Sequence, residues 1–411
     1  MTTLTLQNCN LLDGRNPAVP GSTVVLEDGV VVAAGPAGES ADTATSGQVV
    51  DLHGRSVMPG LVAGHFHCGY VNVGPITVPL GLENPIPYQT LVAARNCALA
   101  LGAGYTSAIG AGSPHSIDAS ITRAIADGLI RGPRLVPCSR ELSTTGHSND
   151  WAPWWWEVGA VGTPRVCDGE DAFRAAVRDE TKRGAKMIKL YMTGGHGVLS
   201  PADRMEMTRA EAAAAVETAK ARGVLVRAHV ANKEAILLAV ELGLDIVDHG
   251  DGLDDECIAA LIETGTALVP SLRLPEAMLA HQTRSGRDTA GFGEDFELGC
   301  QRAAEASAAG VIMLLGDDYG SAILPHGTYG DELRLYAQRV GIAPLDLITW
   351  GTVNGASAIG RTDVGMIQAG QIADLLILDG DPSVDIEVLA DPTHLVAVLQ
   401  DGIVVAGVLP D

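Results

Sequence analysis

Between residues 58 and 358 the chain alternates short apolar runs with longer Ala-rich amphipathic runs, a pattern that few folds can satisfy. The short runs are LVAGHFH, YTSAIGA, RLVPCS, AKMIKLYM, VLVRAHV, DIVDHG, ALVPSL and VIMLLGDD. Among the longer ones are SIDASITRAIADGLI, GEDAFRAAVRDETKRG, TRAEAAAAVETAKARG, NKEAILLAVELG and LDDECIAALIETG. The first set has the length of strands; the second has apolar residues at helical spacing. The helix ending KARG closes on basic residues and a Gly, which suit the negative end of a helix dipole and a left-handed cap. Strand–helix alternation builds a parallel sheet with crossover helices. Eight such strands in about 300 residues predict a closed (β/α)8 barrel. No Gly-rich dinucleotide fingerprint follows the first strand, which argues against an open doubly wound sheet.

The two ends read differently. LTLQNCNLL, STVVLEDGVVVAAG and VVDLHGRSVM near the start, and IADLLILDGD and LVAVLQDGIVVAGV near the end, are apolar runs broken by turn signals. They predict a small β-sandwich domain made jointly by residues 1–57 and 359–411, beside a barrel at 58–358.

Composition narrows the partners. Of 411 residues 50 are acidic and 27 basic, a net charge of −23. Nucleic acid and anionic membranes need clustered Lys and Arg, so neither is an expected partner. The seven cysteines are scattered, odd in number and without a C-x-x-C, so no disulfide framework or zinc ribbon is expected. That usage fits a reducing compartment. The opening MTTLTLQNCNLLDG lacks the features of a signal peptide. No apolar run approaches the ~20 residues that span a bilayer. The expectation is a cytoplasmic homo-oligomer acting on a small molecule.

Chemistry-bearing residues gather at one kind of position, the C-terminal end of a strand run. His65 and His67 end the first, Lys189 lies in the fourth, His229 ends the fifth, His249 the sixth and Asp318 the eighth. In a barrel those ends converge on the catalytic face. A spacing of two puts His65 and His67 on one side of their strand, where both imidazoles reach one ion. A lone strand-end His is more often structural, but four His, a Lys and an Asp at five strand ends are hard to explain that way. Lys189 sits in an apolar strand, where a bare charge is costly unless paired or removed. Carbamylation by CO2 would turn its amine into a bridging, carboxylate-like ligand.

The ordered motifs PGLVAGHFH, IKLYMTGG, VRAHVANKEAILLAVELGLDIVDHG and LLGDDYG, with TVNGASAIGRTDVGMIQAGQIADLLILDGDP, resemble the amidohydrolase superfamily over essentially the whole chain. The fourth-strand and fifth-to-sixth-strand patterns resemble its prolidase-like branch, whose members cleave dipeptides or N-acyl amino acids such as ochratoxin. The resemblance implies two divalent ions, usually zinc. His65, His67 and Asp318 would hold one, His229 and His249 the other, and N6-carboxylysine at Lys189 would bridge them with a hydroxide. That hydroxide would attack an amide carbonyl, with Asp318 shuttling the proton to the leaving nitrogen.

Two local departures stand out. Gly316-Asp317-Asp318 replaces the family's G-T-D; alignment on the Gly makes Asp318 the ligand and Asp317 the substitute for Thr. His196-Gly197 is inserted after Thr193-Gly194-Gly195, leaving the shape of that loop open.

Tyr191 and His147 are candidate donors to the oxyanion and to substrate; His326 resembles a substrate-loop position. Each could instead be a packed or solvated side chain. Four of the five Trp fall in 151–156, and Trp154 and Trp155 are candidates for a substrate lid or for a subunit interface. His53, His115, His281 and His394 read as structural or solvated. Arg140 and Arg273 are the nearest candidates for a substrate carboxylate. Competing readings are a mononuclear deaminase or cyclic-amide hydrolase on the same barrel, and a non-catalytic ligand-binding barrel.

Overall fold

The computed structural model describes residues 3–37, 47–73, 81–147, 150, 155, 162–198, 200–286 and 289–410. Each strand run of the middle region becomes part of one closed ring. Leu61–Phe66 pairs in parallel with Tyr105–Gly110, which pairs with Arg134–Val136. Pro137 has no N–H to offer the ladder and breaks that third strand. The strand resumes as Cys138–Ser143 and pairs on its other side with Met187–Tyr191. Leu225–Val230, Ile246–His249 and Ala267–Val269 follow in order, all parallel.

The eighth strand, near 311–315, closes the ring through short contacts. Leu268 N donates to Ile312 O, Leu314 N to Leu268 O, and Gly64 N to Leu315 O. Gly316 is required at its end. A Cβ there would lie 2.2 Å from the backbone nitrogen of His65, and the residue's φ is +146°.

The five helical runs become Ile117–Ala126, Glu170–Lys182, Arg209–Lys220, Lys233–Leu242 and Asp255–Thr264. Their starts are coded locally. Thr208 and Glu211 form a reciprocal capping box on the third. Asn232 and Asp254 accept backbone N–H groups at the next two. Gly243 ends the Lys233 helix in the left-handed region, where a Cβ would be strained. The Ala and Val faces of these helices pack on Ile188, Leu190, Val226, Ala228 and Val247, the outward residues of the strands.

The two ends meet in one sheet. Its order is Ile403–Gly407, Leu395–Gln400, Leu375–Leu378, Ser56–Pro59, Thr3–Leu11, Val19–Glu27 and Val30–Pro36, with Gln48–Asp51 alongside Thr3–Leu11. Ser56–Pro59 runs antiparallel to Leu375–Leu378 and parallel to Thr3–Leu11, so it joins the two halves. Leu6, Val24, Val57, Leu375, Ile377 and Leu399 form its buried side. The two ends pair in this one eight-stranded sheet, seven strands along the path and Gln48–Asp51 beside it; the topology does not by itself divide the sheet into the two layers of the expected sandwich. All seven cysteines are buried free thiols. No helix among the described residues is long and apolar enough to cross a membrane.

Candidate metal centre and active site

The first barrel strand delivers His65 and, just past its end, His67. Their Nε2 atoms lie 3.1 Å apart. Asp318, just past the eighth strand, places Oδ1 at 3.0 Å from His65 Nε2 and 3.3 Å from His67 Nε2. Donors on a tetrahedral zinc at 2.0–2.1 Å sit about 3.3 Å from one another, so these three fit one ion. The opposite ring nitrogens are engaged: Nδ1 of His65 with Asp248 Oδ1 at 3.2 Å, Nδ1 of His67 with the Gly112 carbonyl at 3.1 Å. Such contacts fix the tautomer that leaves Nε2 its lone pair. Burial lowers the His65 pKa and so favours the neutral ring. The Asp318 carboxylate is held well below its ordinary value because His65, His67 and His249 outweigh the cost of its burial.

Asp317 faces elsewhere. It is buried and accepts the backbone N–H groups of Arg273, Leu274 and Asp318. Burial first, then the Asp318 charge, raises its pKa. The Asp-Asp pair therefore divides its work between an ion-facing carboxylate and a loop-holding one.

A second donor group shares Asp318. His196 Nε2 and His249 Nδ1 each lie 4.0 Å from Asp318 Oδ2, and the two rings stack with centroids 3.8 Å apart. Both nitrogens are buried and have no hydrogen-bond partner among the described residues. Both residues have left-handed backbones, φ +47° at His196 and +71° at His249. Alternation along the sixth strand sends Asp248 into the barrel, and the left-handed turn brings the His249 ring back to its mouth. His249 and His229 are held neutral by burial and then by neighbouring cations. His196 runs the other way: burial lowers it, but Asp251, Asp318 and Asp317 outweigh this and raise it to about 9.

His229 and His249, the pair implied for the second ion, lie side by side. Their rings are adjacent, at 4.6 Å, and His229 Nε2 contacts the Gly194 carbonyl at 3.2 Å. That contact leaves the lone pair on His229 Nδ1, as the Gly112 contact leaves it on His67 Nε2; His196, from the inserted His-Gly, stands beside His249 and Asp318.

Lys189 is fully buried, and the structure answers its charge with a partner. Nζ donates to Asp248 Oδ2 at 2.5 Å. Asp248 also receives Arg227, whose Nε lies 3.0 Å from Oδ2. Arg227 is itself completely buried and donates to the Gly64 and Gly110 carbonyls, tying the first two strands to the fifth and sixth. Burial would raise the Asp248 carboxyl, but Arg227, Lys189 and His65 hold it well below its ordinary value. Arg227 and Asp248 were missed from the sequence. The signal existed: Arg227 lies two residues before His229, as Lys189 does before Tyr191, so each faces the barrel interior. Glu141 was missed too. It is buried, burial raises its pKa, and it accepts from the Tyr70 hydroxyl at 2.9 Å while that ring stacks on His67 at 4.0 Å.

The substrate candidates divide. Tyr191 stacks on His229 at 4.5 Å, and His147 meets the Tyr191 ring edge-on at 5.0 Å, so both lie beside the centre. His326 Nε2 contacts the His67 carbonyl at 3.1 Å, and Nδ1 contacts the Tyr329 hydroxyl; it braces the ligand strand from behind. Trp155 is 65% exposed, whereas Trp154 lies outside the described residues. Arg140 is bound to Glu180 at 2.6 Å and Arg273 to Glu276 at 2.9 Å, so both have structural partners.

The amidohydrolase family model matches residues 56–409. Ochratoxinase of Aspergillus niger is 28% identical over 379 residues, covering 84% of this chain and 75% of its own. Imidazolonepropionase of Symbiobacterium thermophilum is 26% identical over 404 residues, covering 88% of this chain and 84% of its own. Among solved structures, a prolidase complexed with n-methylphosphonate-l-proline superposes with a TM-score of 0.87 at 29% identity, covering 98% of this chain and 99% of that one. A barrel with strand-end His and Asp donors, matched to these relatives along nearly its whole length, belongs to the amidohydrolase family, in its prolidase- and ochratoxinase-like branch, and is a hydrolase acting on carbon–nitrogen bonds.

Proposed function

We propose that this chain is a binuclear metal-dependent hydrolase that cleaves an amide bond in a small molecule: an N-acyl amino acid, a dipeptide or an aromatic amide. The observation that carries this reading is the position of Asp318 between two donor groups, Oδ1 toward His65 and His67 and Oδ2 toward His249 and His196. Two bound divalent cations, zinc by the chemistry of a His-rich donor set, would acidify a water and polarise a carbonyl. Asp318, half-buried and held anionic, accepts the proton of the attacking water and returns it to the leaving nitrogen. Tyr191 and His147, beside His229, supply donors to the developing oxyanion. Trp155, which is exposed, offers apolar surface to a substrate side group or to a second copy of the chain. The expectations of a cytoplasmic location and a homo-oligomer belong to the same proposal.

N6-carboxylation of Lys189 is part of this reading and has a structural condition. The amine must leave Asp248, whose charge is then still met by Arg227 and His65. Growth with 13C-bicarbonate followed by 13C NMR reports the carbamate directly.

A second reading, a single ion and a cyclic-amide substrate, is favoured by the Lys189–Asp248 pair itself, because an ammonium cannot bridge. The deciding experiment is metal analysis together with a screen of the zinc- and manganese-loaded protein. Two ions and turnover of N-acyl amino acids, dipeptides or anilides support the proposal. One ion with ring opening of an imidazolone-type substrate, and no linear amide cleaved, replaces it with the second reading.

A further inference from the structure

We propose that Tyr70 and Glu141 are positioning residues for His67: together they hold the face of its ring and so set the direction in which Nε2 meets the first ion. The inference rests on the assignment of His67 to that ion in the reading above.

Three observations carry it. First, the Tyr70 and His67 rings stack almost parallel, 3° apart with centroids at 4.0 Å. His67 lies just past the end of its strand, so the sheet ladder does not hold it. The Gly112 carbonyl engages Nδ1, but one hydrogen bond leaves the ring free to swing about that contact. A stacked face removes this freedom. Second, Tyr70 is anchored at both ends. A turn in which Tyr70 N donates to the His67 carbonyl brings the phenol back over the imidazole. The Asn96 amide donates to the Cys68 and Tyr70 carbonyls, and the Tyr70 hydroxyl donates to Glu141 Oε1 at 2.9 Å. Third, Glu141 is fully buried on the third strand, level with Lys189 on the fourth. A buried carboxylate is costly unless its charge is answered. Here it packs so closely on Gly112 that a Cβ at that glycine would fall 2.6 Å from Oε1. One carboxylate therefore touches both supports of His67, the Tyr70 hydroxyl and the Gly112 backbone.

Electrostatics give the stack a role beyond packing. An imidazole bound to a cation is electron-poor. A phenol whose proton is shared with a carboxylate presents an electron-rich face. The contact therefore strengthens when the first ion is bound, and Glu141 acts on the ion through Tyr70 without touching it.

The test uses the full chain. First-ion affinity is read by zinc competition with a chromophoric chelator, ligand geometry by the visible spectrum of the cobalt(II) form, and the fold by the urea midpoint of the metal-free protein. Tyr70→Leu should weaken the first ion about 10–100-fold, the range for losing a group that orients a ligand, and should alter the cobalt spectrum. Tyr70→Phe keeps the stack and loses the hydroxyl; it should restore most of the spectrum and only part of the affinity. Glu141→Gln keeps an acceptor and removes the charge. It should weaken the ion less than Tyr70→Leu does, and it carries the test should that variant fail to fold. Wild-type affinity and an unchanged cobalt spectrum in Tyr70→Leu and Glu141→Gln overturn the proposal and leave the binuclear reading standing. The same holds if the variants lose only metal-free stability, because the pair would then support the fold and not the ligand. A wild type that binds a single ion overturns the binuclear reading, and the same variants still decide the role of Tyr70 and Glu141.

Discussion

The two donor groups that share Asp318 are built in opposite ways. His65, His67 and Asp318 come from strand ends in ordinary backbone, and their donor atoms already stand 3.0–3.3 Å apart. His196 comes from a loop and His249 from the last residue of the sixth strand, both with left-handed backbone, and their donors stand 4.0 Å from Asp318. The first group is braced from behind at every point: Asp248 and Gly112 hold the ring nitrogens, Arg227 ties the strands, and His326 supports the His67 carbonyl. The second is braced chiefly by Asp251. A preformed group favours a tightly held ion; a group that must contract spends part of its binding free energy on ordering.

The contrast can be broken most forcefully at its rigid side. His65→Ala should lower kcat/KM by about 10^3-fold or more, the scale of losing metal-based charge stabilisation, with metal content falling at the first site. If activity survives within tenfold, the rigid group is not the catalytic one. Next comes the brace. In the metal-free protein, where Lys189 carries its amine, Asp248→Ala strands Arg227 and Lys189 as buried cations without their carboxylate and should destabilise the fold by about 3–5 kcal/mol. Asp248→Asn, which keeps a hydrogen-bond acceptor, should cost less; urea melts of both variants decide this. Equal losses would mean that charge is not what Asp248 contributes.

A smaller effect sharpens the comparison directly. In a graded chelator titration the ion of the looser group should leave first, its Kd at least tenfold weaker than that of the other, a difference of about 1.4 kcal/mol. Simultaneous loss of both ions would show that the two groups act as one. The smallest effect lies behind the eighth strand. Burial, then Asp317, raises the Glu332 pKa, and Glu332 accepts from the Gly316 N–H at 2.7 Å. A raised carboxyl gives stability that is present below its ordinary pKa and lost as pH rises through the raised value. The metal-free protein should therefore melt lower as pH climbs through and above neutrality, and Glu332→Gln should flatten that fall by about 2 °C. An unchanged pH slope in the variant would assign the dependence to other groups.

The same contrast explains what could be read from the sequence. Strand runs and helix caps are local codes, so LVAGHFH, the Thr208–Glu211 box and the Asn232 cap point to their structures unaided. His65, His67 and Asp318 were visible because spacing along a strand fixes direction. His196 was hidden because nothing in a Gly-Gly-His-Gly loop tells where its ring will point; a left-handed turn decides that. Arg227 and Asp248 were overlooked although alternation would have sent both inward, since a charge in an apolar strand is easily taken for an edge residue. The sheet of the two ends was foreseen as a pairing, but its strand order depends on register between distant segments, which no local pattern encodes.

That distant register has a consequence in time. Pro59 pairs with Leu375, and the strand it ends leads through Gly60 directly into the strand that carries His65 and His67. The partner emerges from the ribosome some 300 residues later, roughly 15–60 s at ordinary synthesis rates of 5–20 residues per second. Throughout that interval Ser56–Pro59 has an open apolar edge next to the future metal strand, the kind of edge that invites wrong partners. Slower translation, or a chain that ends before Leu375–Leu378, should therefore raise chaperone demand and aggregation well before it affects any residue of the centre.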